Sequence, residues 1–466
     1  MSSSTAVPAA HTPPRGFGRV MTGSMVGAVL EWYDFAVYGI LAATVLGPLF
    51  FASKDPVVGI LAALATQGIG FVARPLGGIV FGHLGDRFGR KPMLVTTFLV
   101  LGLSTAAIGL LPTYASVGVW ATVGLVTLRL VQGFALGGEF GAAVLLVSEY
   151  GDRRRRGFWA SWPQAGAPLG TVIATFTVTI LTMIFPGSAF AGGGWRWAFL
   201  LALPMLAVGF WIRHGVEESP VFREAQRRAE ARAGRAEARA GRAEGQPEGP
   251  EGGSSIMQAL RNPRPLLHGL GVRLGENIAF YVYTIFVVAY ATTFHGYARP
   301  DVLKVVTVGS VAQFVGMILA GWWSDRVGRR TAMLVPSVLL VLWAPLFFLL
   351  IGRNDVVLLG VGVVVGAFLH GMLAGPEAAW ITELFPTRYR YAGSSLVFQG
   401  SSIIAGAPAP LIAVWLAKEY GVGFVVAYLV ITMLVTIVAL ATCRETAGRD
   451  LQDPADDPYP DAPAHA

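Results

Sequence analysis

Charge is what this chain has least of. Only 14% of its 466 residues are Asp, Glu, Lys or Arg, against about 25% in soluble domains, too few to cover a solvated surface. It has one cysteine, Cys443, which excludes a disulfide framework and a cysteine-based zinc cluster. There is no His-Glu-x-x-His and no P-loop, and glycine runs such as 360–366 lie inside apolar stretches, so zinc-protease and nucleotide chemistry have no motif to stand on. The first apolar stretch begins at Val20 and has no small-residue cleavage site after a short core. It reads as a retained span, not a signal peptide.

What the chain does have is apolar length and glycine. Hydrophobic residues make up 54%, mean hydropathy is +0.58, and there are 58 glycines. An apolar run of about 18 residues or more crosses a hydrocarbon core of ~30 Å at ~1.5 Å per residue, and small residues let such helices pack closely. The pattern predicts an all-α membrane protein and excludes a soluble enzyme. Twelve spans are expected, near 20–51, 57–82, 92–112, 117–149, 158–185, 195–213, 266–294, 302–323, 331–352, 355–383, 393–417 and 422–443. With both termini on one side, that side collects sixteen Lys and Arg outside the central loop and the other side six. The positive-inside bias then predicts that both termini and the central loop are cytoplasmic, in a bacterial cytoplasmic membrane. Because the net charge of +7 is explained by these loops, no nucleic-acid partner is expected. The partners are the bilayer and a small molecule.

The chain also repeats. Gly82-His-Leu-Gly-Asp86-Arg-Phe-Gly-Arg90-Lys91 returns as Gly321-Trp-Trp-Ser-Asp325-Arg-Val-Gly-Arg329-Arg330, and Glu149…Arg153–Arg156-Gly157 is echoed by Glu383…Arg388…Arg390…Gly393. This predicts two six-helix halves related as parallel repeats, with a substrate site at their interface. The expected organisation is an N-terminal tail (1–19), a first bundle (20–213), a linker (214–264), a second bundle (265–443) and a tail (444–466). In the linker, 228–234 and 235–241 both read Arg-Ala-Glu-Ala-Arg-Ala-Gly. With no Leu or Ile to form a seam, it reads as a solvated, partly helical connector. The Pro- and Asp-rich tail reads as disordered.

The duplicated Gly-x-x-x-Asp-Arg-x-Gly-Arg-Arg/Lys loop resembles the signature of the major facilitator superfamily. Glu31-Trp-Tyr-Asp-Phe, Arg74-Pro-Leu-Gly-Gly, Arg129-Leu-Val-Gln-Gly-Phe-Ala-Leu-Gly-Gly-Glu139, Pro163-Gln-Ala-Gly-Ala-Pro168 and Glu218-Ser-Pro-Val-Phe222 are similar to its metabolite:proton symporter family over about 20–443. Val272-Arg-Leu-Gly-Glu276 is most similar to the shikimate-type branch. The resemblance implies a major facilitator fold of two pseudo-symmetric bundles. It also implies import, by alternating access, of an organic acid such as α-ketoglutarate, citrate or shikimate, or of proline or betaine. The short tail, without a coiled coil, lowers the proline/betaine class. No cofactor, metal or enzymatic activity is implied, and a monomer is expected. The driving ion is the proton, with sodium left open.

Ionisable groups cost at least ~2.5–3.5 kcal/mol at the bilayer centre, so those in spans are functional candidates. Glu31, Asp34 and Tyr38 share an arc of about 60° on span one, and Arg129, Gln132 and Glu139 one of about 80° on span four. Gly133, Gly137 and Gly141 form a separate small-residue ridge there. The polar stripe is expected to face a cavity and the glycine stripe a neighbouring helix. Counting ~1.5 Å per residue from loop markers places Glu31, Arg74 and Glu139 at one level, with Asp34 and Arg129 further outward. The resemblance implies that Asp34 and Arg129 form the proton switch, joined in proton coupling by Glu31, Glu139 and Arg74. Candidate substrate contacts are Arg129, Gln132, Tyr38, Gln164, Trp159, Arg273, Glu276, Asn277, Tyr281, His370 and Gln399. Arg74, Arg129 and Arg273 compete as the carboxylate's partner, since guanidinium offers a bidentate grip. Asp86, Arg90 and Glu149, mirrored by Asp325, Arg329 and Glu383, are expected to latch the two halves, with Glu377 as a gating residue near the cytoplasmic end. The alternatives are a proton-driven efflux antiporter, from whose Gly-Pro-x-x-Gly-Gly run the segment Ala167-Pro168-Leu-Gly-Thr171 departs, and a non-transporting membrane sensor, for which no signalling domain is attached.

Overall fold

A computed structural model describes residues 17–52, 56–88, 90–150, 153–214, 255–386, 389–406, 408–451 and 459. The described residues form twelve long helical rods: α1 (17–50), α2 (Pro56–Phe88), α3 (Arg90–Leu110), α4 (Val119–Tyr150), α5 (Arg156–Ile184), α6 (190–214), α7 (Pro263–His295), α8 (Arg299–Val327), α9 (Arg329–Ile351), α10 (Val356–Leu384), α11 (390–419) and α12 (Val422–Thr442). Each answers to one expected span. Large apolar side chains such as Trp120, Trp211, Met183 and Leu342 stand exposed on the outer faces, the inverse of a soluble surface and what a bilayer would cover.

Each half has its own apolar core, one around Tyr33, Val37, Phe98, Leu125 and Phe199, the other around Ile278, Phe286, Met333, Phe347, Trp380 and Leu429. Between them runs a seam of small residues, with Ala160 against Ala378 and Ala379, and Ala165 against Met317 and Ala374. The repeat is visible in the packing. On α4, a Cβ added at Gly133 or Gly137 would collide with the backbone of Gly70 or Arg74 on α2. In the second half, Gly371 and Gly375 of α10 meet the backbone of Gln313 and Met317 on α8 in the same way. Helices this close leave no room for methyl groups. Single π-helical turns interrupt α1 at Ala42–Leu46 and α7 at Val282–Phe286, matching places in the two halves.

The loop motif's glycine has a conformational reason. Gly328, between α8 and α9, holds φ at +93°, a region that side-chain-bearing residues avoid. Its counterpart Gly89 lies outside the described residues, as do linker positions 215–254.

Of the tail expected to be disordered over 444–466, residues 444–451 and Tyr459 are held in place. Glu445 caps α9, accepting from the backbone N–H of Arg329 (2.8 Å) and Arg330 (3.1 Å), the stabilising position for an anion at a helix start. Further on, Tyr459 stacks on His268 at 5.5 Å and donates to Cys443 Sγ at 3.3 Å. Buried polar partners, not apolar periodicity, hold these residues. Residues 452–458 and 460–466 lie outside the described residues.

Candidate functional site

About midway along the rods the halves enclose a chamber of ≈ 70 Å³. The first half contributes Glu31, Arg74 and Gln164, the second Arg273, Glu276, Asn277, His370 and Gln399, and Trp32, Phe35, Phe71, Phe280 and Tyr281 form aromatic walls. Arg74 lies over the Phe71 ring at 4.3 Å, and its nearest ion-pair contact is Glu31 at 3.6 Å. Its Nε has no hydrogen-bond partner among the described residues. Opposite, Arg273 Nη1 donates to Glu276 and to Glu377, each at 2.7 Å. Glu276 Oε1 lies 3.1 Å from His370 Nε2, and His370 Nδ1 lies 2.7 Å from Gln313 Nε2. With Nδ1 accepting from the amide, Nε2 carries the proton and donates to Glu276. Arg273 is thus saturated by carboxylates while Arg74 is loosely held.

A second polar group is sealed inside the first half. Arg129 Nη1 donates to Asp34 Oδ2 at 2.8 Å; Thr105 and Gln132 donate to Oδ1 at 2.9 and 3.0 Å. The guanidinium lies 3.5 Å from the Tyr38 ring centroid, and Tyr38 pairs with Thr66 and donates to the Ala63 carbonyl at 3.1 Å. Asp34 is only 2% exposed and Arg129 4%. Arg129 Nε and Nη2 have no partner among the described residues, so the pair hangs on a single guanidinium nitrogen.

The third group closes the end where the loop motifs lie. Asp325 accepts from the backbone N–H of Gly157 (2.8 Å) and Phe158 (2.9 Å), the first turn of α5 in the other half. Arg329 bridges Asp325 (2.6 Å) and Glu383 (3.3 Å), and Arg156 reaches across to Glu383 at 3.1 Å. Thr446 of the tail donates to the same carboxylate at 2.8 Å. A Cβ at Gly157 would run into Arg329, Ser324 and the Gly321 carbonyl, which is why the chain needs glycine there.

Several expectations shift. Glu377, expected near the cytoplasmic helix end, is fully buried and bound to Arg273, because seven residues are two turns and bring it under His370. Trp159 packs against Phe17 and Phe158, away from the chamber. Arg129, Gln132 and Tyr38 do not line the chamber, and Arg129 and Gln132 of α4 face the interior of the first half. The arc on α1 straddles a boundary, with Glu31 turned to the chamber and Asp34 and Tyr38 turned inward. Gln164, Asn277, Tyr281, His370 and Gln399 line the chamber as expected. The side chains of Asp86, Arg90, Glu139 and Glu149 lie outside the described residues. Gln313 and Thr105 escaped the sequence reading, since an uncharged polar residue in an apolar span carries little signal.

A family model described as sugar (and other) transporter matches residues 20–455. An inner membrane metabolite transport protein of Escherichia coli is 34% identical, with 95% of this chain and 97% of that one covered. The shikimate transporter of the same organism is 36% identical over 85% of this chain and 86% of its own length, and its proline/betaine transporter 33% identical over 93% and 85%. In fold, the chain is similar to a proton:xylose symporter bound to 6-bromo-6-deoxy-D-glucose, with a TM-score of 0.73 at 16% identity, covering 95% of this chain and 98% of that one.

Proposed function

Because the chain belongs to the sugar (and other) transporter family of the major facilitator superfamily, and so is a membrane transporter and not an enzyme, we propose that it imports a small organic acid together with a proton by alternating access. The observation that carries this reading is the unequal state of the two chamber arginines. Arg273 is satisfied by two carboxylates, whereas Arg74 has an unused Nε and one distant acid partner. A substrate carboxylate finds its partner in Arg74, where a bidentate grip replaces a 3.6 Å contact. Gln399, whose Oε1 has no partner among the described residues, and Gln164, which lines the same chamber, serve the substrate's hydroxyl or amide groups.

In this reading Asp34 and Arg129 are the proton switch. Protonating Asp34 removes the charge that holds Arg129, and breaking a buried pair of this kind costs about 3–5 kcal/mol unless another charge compensates. Proton binding and rearrangement of the first half are thereby one event. The Asp325 latch at the loop-motif end, taken as cytoplasmic, then holds the substrate-free state closed on that side.

A second reading is favoured by the charge balance around the chamber. Glu31, Glu276 and Glu377 outnumber Arg74 and Arg273, and aromatic rings line the walls. That surplus also suits a zwitterion with a cationic nitrogen. Uptake by proteoliposomes of labelled shikimate, citrate, α-ketoglutarate and glycine betaine, with and without an inward proton gradient, tests both. Gradient-dependent uptake of an acid supports the first, and uptake of glycine betaine alone replaces it with the second.

A further inference from the structure

Beyond the chamber, toward the end opposite the loop motifs, lies a larger cavity of ≈ 260 Å³. It is bounded by α1 and α5 of the first half and α7 and α8 of the second. Among the described residues the two cavities share only Phe35 and Phe280 in their lining. These rings belong to an interlocked aromatic set: Trp32 meets Phe280 at 4.9 Å and Phe35 at 5.5 Å, and Phe35 meets Tyr281 at 6.0 Å. The chamber of ≈ 70 Å³ is far below the roughly 300–1,000 Å³ of small-molecule sites. The outer cavity is close to that range. A metabolite arriving from that end therefore has room before the aromatic floor and none behind it.

The chemistry of the outer cavity is specific. Arg299, at the start of α8, is its one charged lining residue among the described residues. Its contact across the seam is long, Nη2 to the Ile40 carbonyl of α1 at 3.5 Å, and no carboxylate pairs with it among the described residues. Nearby Asp301 is taken by Lys304 at 3.0 Å. A half-buried guanidinium without a carboxylate favours an anion. The walls add hydroxyls: Thr171, Thr175, Thr284 and Thr292 each donate to a carbonyl of their own helix. Their protons are committed, so toward the cavity these oxygens act as acceptors, which suits a ligand carrying O–H or N–H donors.

We propose that this cavity is a separate outer binding site, which takes a small hydroxylated carboxylate before the aromatic floor opens, with Arg299 on the carboxylate and the threonine oxygens on the hydroxyls. The proposal rests on the reading of the chain as a carboxylate transporter. It adds a stopping place in which Arg299 acts without Arg74.

Thiol labelling reads this site without transport. In full-length protein carrying Cys443→Ser and Thr284→Cys, the anionic reagent methanethiosulfonate ethylsulfonate should react about tenfold faster relative to its trimethylammonium counterpart than it does after Arg299→Gln. Arg299→Lys should keep the bias, which separates charge from folding. Shikimate should slow labelling where cyclohexanecarboxylate, lacking hydroxyls, protects several-fold less, and shikimate protection should survive Arg74→Gln. A bias unchanged by Arg299→Gln overturns the proposal, as does protection that Arg74→Gln alone abolishes. Carboxylate uptake without protection at Thr284→Cys also overturns it while leaving the transport reading intact. Protection without carboxylate uptake supports the outer site and removes the transport reading.

Discussion

Arg74 and Arg273 face one chamber from opposite halves and differ in what they already hold. Arg273→Gln leaves Glu276 and Glu377 buried without their cation, a loss of about 3–5 kcal/mol, so the variant should show a clear drop in thermal stability in detergent. Arg74→Gln removes a cation whose nearest acid is 3.6 Å away and should leave stability close to the parent while substrate binding falls at least tenfold. Isothermal titration beside a thermal melt separates the two. Equal melts with binding lost only in Arg273→Gln would reverse the assignment. At this scale the sequence exposed the charges, because an ionisable residue in an apolar span is conspicuous. It did not expose their direction: three and seven residues from Glu31 keep Asp34 and Tyr38 near its face, yet a rotation of less than a quarter turn separates chamber from bundle interior.

The helices meet through glycine. Gly133→Ala on α4 and Gly371→Ala on α10 both push a methyl group into the backbone of the neighbouring rod, and overpacking of this kind costs about 1–3 kcal/mol. Both variants should lower the melting temperature, whereas Gly18→Ala, with nothing within 4 Å, should not. The ridge on α4 was readable as Gly-x-x-x-Gly, and its partner helix followed only from the fold. The π-helical turns in α1 and α7 left no trace in the sequence, since they are a shift of main-chain hydrogen bonds that ordinary apolar residues tolerate.

For the molecule as a whole, the duplicated motifs located the cluster of Asp325, Arg329 and Glu383 that ties the two halves together, while the share of Thr446 in it was hidden, because a residue held by polar contacts has no periodicity to read. Each charged hydrogen bond is worth about 1.5–3 kcal/mol, so Asp325→Asn, which weakens its bonds to Gly157 and Phe158, should bias the protein toward opening at that end. The maximal uptake rate should fall several-fold with little change in substrate affinity, and the opposite pattern would refute the latch. The proton switch is tested most directly in proteoliposomes holding a pH-sensitive dye, to which the transported acid is added without a gradient. The parent should acidify the lumen as substrate enters, and Asp34→Asn should exchange substrate across the membrane with no acidification. Acidification by Asp34→Asn equal to the parent's would contradict the account.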